Sequence, residues 1–351
     1  MVNKYLSRRD FVGKSIKYGV GGSLLLLSGL SIAGCSPFEE SSARQAEHIV
    51  KIGLIDPDSH PHVEACKRFA ELVHEKTNNE VKVEIYPSSQ LGDASTILQG
   101  LQHGTVEAFF GAVTWLGANI TDFWLPGTLY LFNDQEHCRN VHEGPEFKKL
   151  AEQAREKEGI RVFSMGYDRG PRHFISTNPI KGFEDLEGLK IRVPAQLSWV
   201  RNFEMAGAAP QAIALSETFT ALQQGIVQAT EQASNWLYFN SYYTIANNIT
   251  KTHHNYEQSG FFFSDLIFDT YPADVKQVLQ DTAEEIIPYH NDLIEKDIKT
   301  SEDEMKKENI DFHEINLEEW QSHFRELIPG LSKEVGYSMD LVNNILNNRE
   351  G

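Results

Sequence analysis

From His48 onward, short apolar runs alternate with segments whose apolar positions recur every three or four residues. The run "HIVKIGLI" comes first, and "HVEACKRFAELVHEK" after it puts Val63, Cys66, Phe69 and Val73 on one helical face. The pattern continues through "VKVEIYP", the helical "ASTILQGLQHG", the run "VEAFFGA", a helix near 144–157 and the strand "IRVFSMGY". Beyond a glycine-rich turn at "YDRGPR", a second round reads "RHFIST", "LKIRVP", a helix near 196–205 and "ETFTALQQGIVQATEQ". Strands that alternate with helices predict an α/β fold, here in two units.

A longer pattern follows. From Pro272 to Asn309, Val275, Leu279, Ile286, Ile287, Ile294, Ile298 and Met305 keep helical spacing around an internal Pro288. An internal proline kinks or breaks a helix, so a long kinked helix is predicted to pack along both units and couple them. No repeat, low-complexity tract or Gly/Ser linker separates the units, and short strand crossovers are expected to act as hinges.

Composition fits this picture. The chain has 351 residues, 40% of them hydrophobic, enough for two domains with full cores. Its net charge is −18, and the first 35 residues carry five basic residues against one acidic, so the remainder stands near −22. Such a body repels nucleic acid and anionic membranes. An anionic small molecule would need locally concentrated positive charge.

The amino terminus reads as an address. Arg8 and Arg9 in "SRRDFVGK" precede "GVGGSLLLLSGLSIAG", an apolar stretch of about fifteen residues that ends at Cys35. A membrane-spanning helix needs ~20, so residues 1–35 are expected to be an export signal. The paired arginines resemble a twin-arginine signal, and Ile32-Ala33-Gly34-Cys35 resembles a lipobox in which Cys35 becomes the lipid-modified first residue. An uncleaved membrane anchor is the alternative, and both put the body outside the cytoplasmic membrane. The polar residues 36–46 suit a tether. Cys66 and Cys138 remain in the exported part; a buried free thiol suits Cys66 on its apolar helix face, with a disulfide open to the pair in an oxidising compartment.

The familiar catalytic motifs are missing: there is no His-Glu-x-x-His, no Gly-x-Ser-x-Gly, no phosphate-binding loop and no Cys-x-x-Cys. His60 and His62, like His253 and His254, lack the i, i+4 spacing of helical metal ligands and are expected to be solvated or locally bonded. No metal or cofactor is expected. The anomaly lies in "GLKIRVPAQLSW". Leu189, Ile191 and Val193 face one way along a strand and Lys190 and Arg192 the other, with Pro194 ending the ladder. Arg192 therefore stands at the carboxyl end of a strand, where open α/β sheets bind ligands. A buried guanidinium needs an anion. Glu217 or Glu231 could supply it internally, or a ligand carboxylate could, clamped between Arg192 and Arg172 of the neighbouring run "RHFIST". Trp115, Trp124, Trp199, Trp236, Phe239, Tyr242 and Tyr243 are available for apolar cleft walls or for the core.

In this order, "AELVHEKT", "VKVEIYPSSQLGD", "LQHGTVEA", "LPGTLYLF", "GPRHFIST", "FEDLEGLKIRVP", "AGAAP" and "SETFTALQQGIV" resemble the solute receptors of tripartite ATP-independent periplasmic (TRAP) transporters, the C4-dicarboxylate-receptor type. The likeness runs from His48 to about Phe312. It implies a two-domain periplasmic-binding-protein clamshell with hinge strands and a long kinked connecting helix. Domain I would take residues 47–169 plus 258–297, and domain II 170–257 plus 298–351. It further implies an organic-acid ligand, TRAP membrane subunits as partners and a monomeric receptor without catalysis. By the same resemblance Arg192 makes the carboxylate salt bridge, Arg172 also reaches the ligand, Glu217 orients the pocket and Glu231 is the glutamate of the family's "D-G-x-E-N" segment. This chain departs there, with "QATEQA" placing Gln232 where an asparagine is usual; Asn235 and Trp236 follow as possible compensations. The loop "DPDSHPH" adds Ser59 and His60 as cleft candidates. An enzyme acting on a carboxylate in the same cleft, with Glu217, Glu231 or His60 as acid or base, is the competing reading, and a sensor adaptor the third. If the lipobox is used, Cys35→Ser abolishes incorporation of labelled lipid; continued labelling of the variant would contradict it.

Overall fold

The computed structural model describes residues 46–347, so the export signal, Cys35 and all but the end of the tether lie outside the described residues. The first unit begins β1 (His48–Gly53), α1 (Pro61–Lys76), β2 (Val81–Tyr86), α2 (Ala94–His103) and β3 (Ala108–Ala112). Two 3-10 segments, Val113–Ala118 and Thr121–Gly127, lead to α3 (Gln135–Glu143), α4 (Pro145–Glu158) and the long β4 (Ile160–Ser176). The second unit runs β5 (Lys190–Val193), α5 (Leu197–Met205), β6 (Ala209–Ala212), α6 (Leu215–Gln223), β7 (Ala229–Ala233), α7 (Ser234–Phe239) and β8 (Asn248–Lys251). After β9 (Tyr256–Ser264) and the one-turn α8 (Asp265–Phe268) come α9 (Ala273–Glu285), α10 (Ile287–Lys307), β10 (Asp311–Glu314), α11 (Leu317–Val335) and α12 (Met339–Asn347).

The ten strands of the described residues belong to one mixed sheet, ordered β2-β1-β3-β9-β4-β7-β5-β6, with β8 joining β4 to β10. The two α/β units are its two halves. Each half buries both faces, as the strand alternation requires. On β3 and β9, Phe109 and Phe262 enter a core with Ile97, Trp124 and Phe147, while Phe110 and Phe261 enter the opposite one with Val50, Phe69 and Leu279. On β4, Phe174 joins Ile191, Val193 and Trp199, and the adjacent Ile175 joins Leu222, Tyr242 and Ile249.

β4 departs from the sequence pattern. The glycine-rich stretch read as a turn between two strands is part of one 17-residue strand. Its first part pairs antiparallel with β9, and its last five residues, Arg172 to Ser176, pair with β7. The turn expectation failed because Gly170, at φ +83, makes a bulge rather than a reversal. From Asp168 to Pro171 the strand advances three residues while β9 moves only from Gln258 to Tyr256.

The long helical pattern appears as two helices. α9 ends at Glu285 with Ile286 as its cap, and Pro288 lies in the first turn of α10, where its missing N–H costs no helical bond. Ile286 packs in a first-half core and Met305 in a second-half core, so the pair links the halves. The carboxyl terminus does not stay with domain II as expected. Trp320 and Phe324 of α11 pack in the second half, but Ile328, Leu331 and Val335, then Leu341, Val342 and Ile345 of α12, return to the first-half core. The reason is the length of α11, 19 residues or about 28 Å.

Cys66 and Cys138 are both buried and free, and they belong to cores on opposite faces of the sheet. Burial pushes both thiols well above their ordinary range. The Cys35→Ser protein, kept without reductant, is expected to resist thiol reagents when folded and to release two thiols on unfolding. A count of zero would mean a disulfide.

Candidate functional site

The bulge in β4 assembles the site. Residues three apart on a regular strand face opposite ways; the extra residue restores parity, and Arg169 and Arg172 line the same cleft. Arg192 reaches it from β5, next to the chain turn at Pro194, and Glu257 from β9. Thr114 and Trp115 close it from the first half, Gln196, Trp199, Gln232 and Trp236 from the second. The cleft encloses about 690 Å³ counted to its open mouth. It is closed over its charges, since Arg169, Arg172 and Arg192 are 5%, 2% and 3% exposed.

Two of the three guanidinium groups are answered by acids of the protein. Arg172 bonds both Glu231 oxygens, Nε to Oε2 at 2.5 Å and Nη2 to Oε1 at 2.6 Å, and its Nη1 meets Glu257 Oε2 at 3.1 Å. Glu257 also accepts from Thr114 Oγ1 at 2.7 Å and lies 3.5 Å from Arg169 Nε. Burial acts against the Arg172 charge, but Glu231 and Glu257 together outweigh it and leave the guanidinium raised. Burial likewise disfavours the Glu231 carboxylate, and Arg172 together with His254 brings it below its ordinary range. Trp199 and Trp236 lie under Arg172 and Arg169, with guanidinium carbons 4.5 and 4.7 Å from the ring centroids.

Arg192 is different. Its Nε donates to Ile213 O at 2.9 Å, its Nη1 is buried without a partner, and among the described residues no carboxylate lies within 4.0 Å of it. Burial pulls it down, with only partial relief from Tyr242 and Glu231. Other polar atoms of cleft-lining residues also lack hydrogen-bond partners, among them Arg169 Nε, Gln196 Oε1, Gln232 Oε1, Trp199 Nε1 and Trp236 Nε1. Buried polar atoms in proteins are otherwise nearly all bonded.

Of the residues expected in the site, Arg192, Arg172, Gln232 and Trp236 line the cleft together. Glu231 lies beneath it as the partner of Arg172 and His254, so the internal acid considered for Arg192 serves another arginine. Asn235 is buried at the start of α7, accepting from Trp236 N at 3.0 Å, behind the lining. Glu217 and Ser59 stand outside it, both exposed. Glu217 follows Ser216, which does line the cleft, and one residue turns about 100° around α6. Ser59 precedes the cap of α1 and points to solvent. Trp124 and Tyr242 are core, while Trp115 and Trp199 are walls. Arg169 and Glu257 escaped the sequence reading because only the bulge and the β4–β9 register bring them to the cleft.

Behind Arg169 sits a buried histidine cluster. His60 caps α1, and its Nδ1 accepts from His62 N at 3.2 Å; His62 Nδ1 meets Asp56 Oδ1 at 2.8 Å. The His60 ring packs on Trp236 at 4.4 Å, and His62 stacks on His290 at 5.0 Å. Ligand atoms of Asp56, His60 and His62 lie within 4.8 Å of one another, a set able to hold a cation. The Nδ1 lone pair of His60 is engaged and the Arg169 charge faces Asp56, while His60 Nε2, His62 Nε2 and Asp56 Oδ2 are buried without a partner. The Nδ1 atoms of His60 and His62 are locally bonded, and both rings are buried rather than solvated.

A ligand cleft between two halves of a sheet, tied by long strands and a broken helix, defines a two-domain solute receptor. The profile of the bacterial extracellular solute-binding proteins, family 7, matches residues 52–334, and the chain belongs to that family. An uncharacterized protein of Haemophilus influenzae is 32% identical over 243 residues, 69% of this chain and 70% of its own length. The C4-dicarboxylate-binding periplasmic protein of Rhodobacter capsulatus is 27% identical over 321 residues, 90% of this chain and 94% of its own. A sugar acid binding protein of Advenella mimigardefordensis, solved with galactonate, superposes at a TM-score of 0.81 with 23% identity, covering 86% of this chain and 98% of that one. The family consists of binding receptors, and the enzymatic alternative is not supported. Among the described residues no helix is long and apolar enough to cross a membrane.

Acid should loosen this body. Burial lowers His142 and His290 from 6.5 to about 4 and pushes His60, His62 and His173 the same way. Between these values the unfolded chain binds more protons, so stability falls as pH drops from 6.5 towards 4. Below about pH 4.5 the depressed Glu231 adds to the loss; Asp56, raised by burial, opposes it from its raised folded value down to 3.8. The melting temperature is expected to decline steadily across this window. A flat profile from pH 7 to pH 4.5 would mean that these imidazoles are already charged in the folded state.

Proposed function

We propose that the protein binds a small organic acid through its carboxylate on Arg192 and delivers it to the membrane subunits of a TRAP-type transporter. One observation carries this: a guanidinium 3% exposed, with an unpartnered Nη1 and no carboxylate of the protein beside it, in a cleft lined by both halves. Arg172 is spent on Glu231 and supports rather than clamps; Arg169, Gln232 and the indole N–H groups of Trp199 and Trp236 are the further contacts. Glu231, Asn235 and His60 hold these groups in place. The sugar acid bound to the Advenella mimigardefordensis structure supports the ligand class.

The ligand touches both halves and favours the closed arrangement by its differential affinity, with α9 and α10 flexing about Ile286. The receptor works as a monomer, exported by its twin-arginine-like signal and held at a membrane surface by lipid on Cys35. Its ligands come from the surrounding medium. Partner membrane genes next to its own would separate transport from sensing.

Arg192→Ala removes charge and geometry, and Arg192→Lys keeps only the charge. Truncating a desolvated charge-assisted contact costs roughly 2–5 kcal/mol, so calorimetry should show at least about thirtyfold weaker binding for alanine. Ligands are found by thermal shift over a carboxylate library, where a hundredfold excess over Kd stabilises by about 2.7 kcal/mol. Parent-like affinity in an Arg192→Ala protein with a normal circular dichroism spectrum would overturn the assignment.

A further inference from the structure

The loop after β1 and the first turn of α1 carry a set of donors that the cleft does not use. Asp56 Oδ1 lies 2.8 Å from His62 Nδ1 and 3.5 Å from His60 Nδ1. All three side chains are withdrawn from water, the imidazoles at 0% and the carboxylate at 1% exposure. Donor atoms around a tetrahedral zinc ion, bound at ~2.0–2.2 Å, stand roughly 3.3–3.6 Å apart. The two nitrogens and the oxygen are therefore close to a coordinating arrangement.

The carboxylate is also short of a cation. Among the described residues no lysine or arginine comes within 4.0 Å of Asp56, and its Oδ2 is buried without a partner. Buried carboxylates are costly unless a positive charge meets them. Glu231 and Glu257 meet Arg172, and Asp168 meets Arg139. Arg169 faces Asp56 only from a greater distance, and it is bonded to Ser259 and set beside Glu257.

We infer that Asp56, His60 and His62 form a structural site for one divalent transition-metal ion, zinc by the character of the donors. Imidazole nitrogens joined by a carboxylate suit zinc. Both imidazoles bind through Nδ1, and their ring protons reside on Nε2. Asp56 binds through both oxygens, which gives the ion four donors and employs the Oδ2 atom that has no partner in the protein. The ion takes the place of the long contact from His62 N to His60 Nδ1, at 3.2 Å, and of the hydrogen bond between His62 and Asp56. The Arg169 charge opposes the ion, and Glu257, 3.5 Å from Arg169 Nε, offsets that charge. The His60 ring packs on Trp236 and Phe239 of α7 in the second half, so the ion fixes the support of a cleft wall without touching the ligand. Because the donors have no exposed surface, the ion enters as the chain folds. The site does not depend on which acid the cleft takes.

Glu47, His48 and Glu80 are the other such set of donors among the described residues, exposed or half-buried, so the test uses full-length protein carrying Cys35→Ser and His48→Ala. It is produced in zinc-supplemented medium, desalted and assayed by atomic absorption. One zinc per chain is expected, with a higher melting temperature than the same protein from zinc-depleted medium. Cobalt(II) in place of zinc is expected to give the intense visible absorption of a four-coordinate ion. Asp56→Asn removes the anion, and His60→Asn removes an imidazole while keeping a residue that caps helices well. Each is expected to weaken zinc binding by about a hundredfold or more in competition with a chelator; if one fails to fold, the other decides. A protein that retains no zinc overturns the site, as does full retention by a folded Asp56→Asn or His60→Asn variant, which would put the ion elsewhere. The weak spectrum of six-coordinate cobalt overturns it whatever the variants do.

Discussion

The bidentate pair between Arg172 and Glu231 is the constraint on which the rest of the structure depends. It lies where β4 leaves β9 and begins to pair with β7, so it joins the two halves of the sheet at their seam. Both side chains are essentially removed from water. Breaking such a pair leaves a buried charge uncompensated, at a cost of ~3–5 kcal/mol. The same pairing decides the chemistry of the cleft. Glu231, the nearest buried acid of the second half, is consumed by Arg172 and by His254, and Arg192 remains without one.

Around this seam the fold is organised to let two cores share one site. Each half carries cores on both faces of its strands, and the packing is shared between them: Leu129 and Tyr130 of the first half enter a second-half core, and Met205 of the second packs on a first-half core. The chain crosses between them at β4, β9, the broken helix of α9 and α10, and α11. A few crossing elements at a bulge and a helix break concentrate backbone adjustment in small regions, the usual geometry of hinges. The histidine cluster stands as a packed wall behind Trp236, its rings stacked on one another and on the indole and its Nδ1 atoms locally bonded.

The alternation of strands and helices, the proline in the long helical pattern and the anomalous Arg192 were all legible along the chain. Each is a local signal: a period of two, a period of 3.6, or a charge where the pattern calls for an apolar residue. Arg172 was legible as a candidate, but its occupation by Glu231 was not. Glu217 and Ser59 were expected in the cleft and are exposed, because neighbours in sequence diverge by a third of a helical turn or by one turn residue. Arg169 and Glu257 had no sequence signal of their own, and α11 and α12 went unrecognised as the elements that return the chain to the first half.

The sequence by itself therefore determined the fold class, the approximate elements and the presence of a buried cation at a strand end. These follow from short-range periodicity and from the cost of placing a guanidinium in an apolar run. Only the tertiary structure decided which acid answers which arginine. The partners of Arg172 lie 59 and 85 residues away, and their meeting depends on the register of β4 against β7 and β9. A single extra residue at Gly170 turns Arg169 into the cleft. Register and parity are properties of paired strands, set by packing on both faces, and no local pattern encodes them.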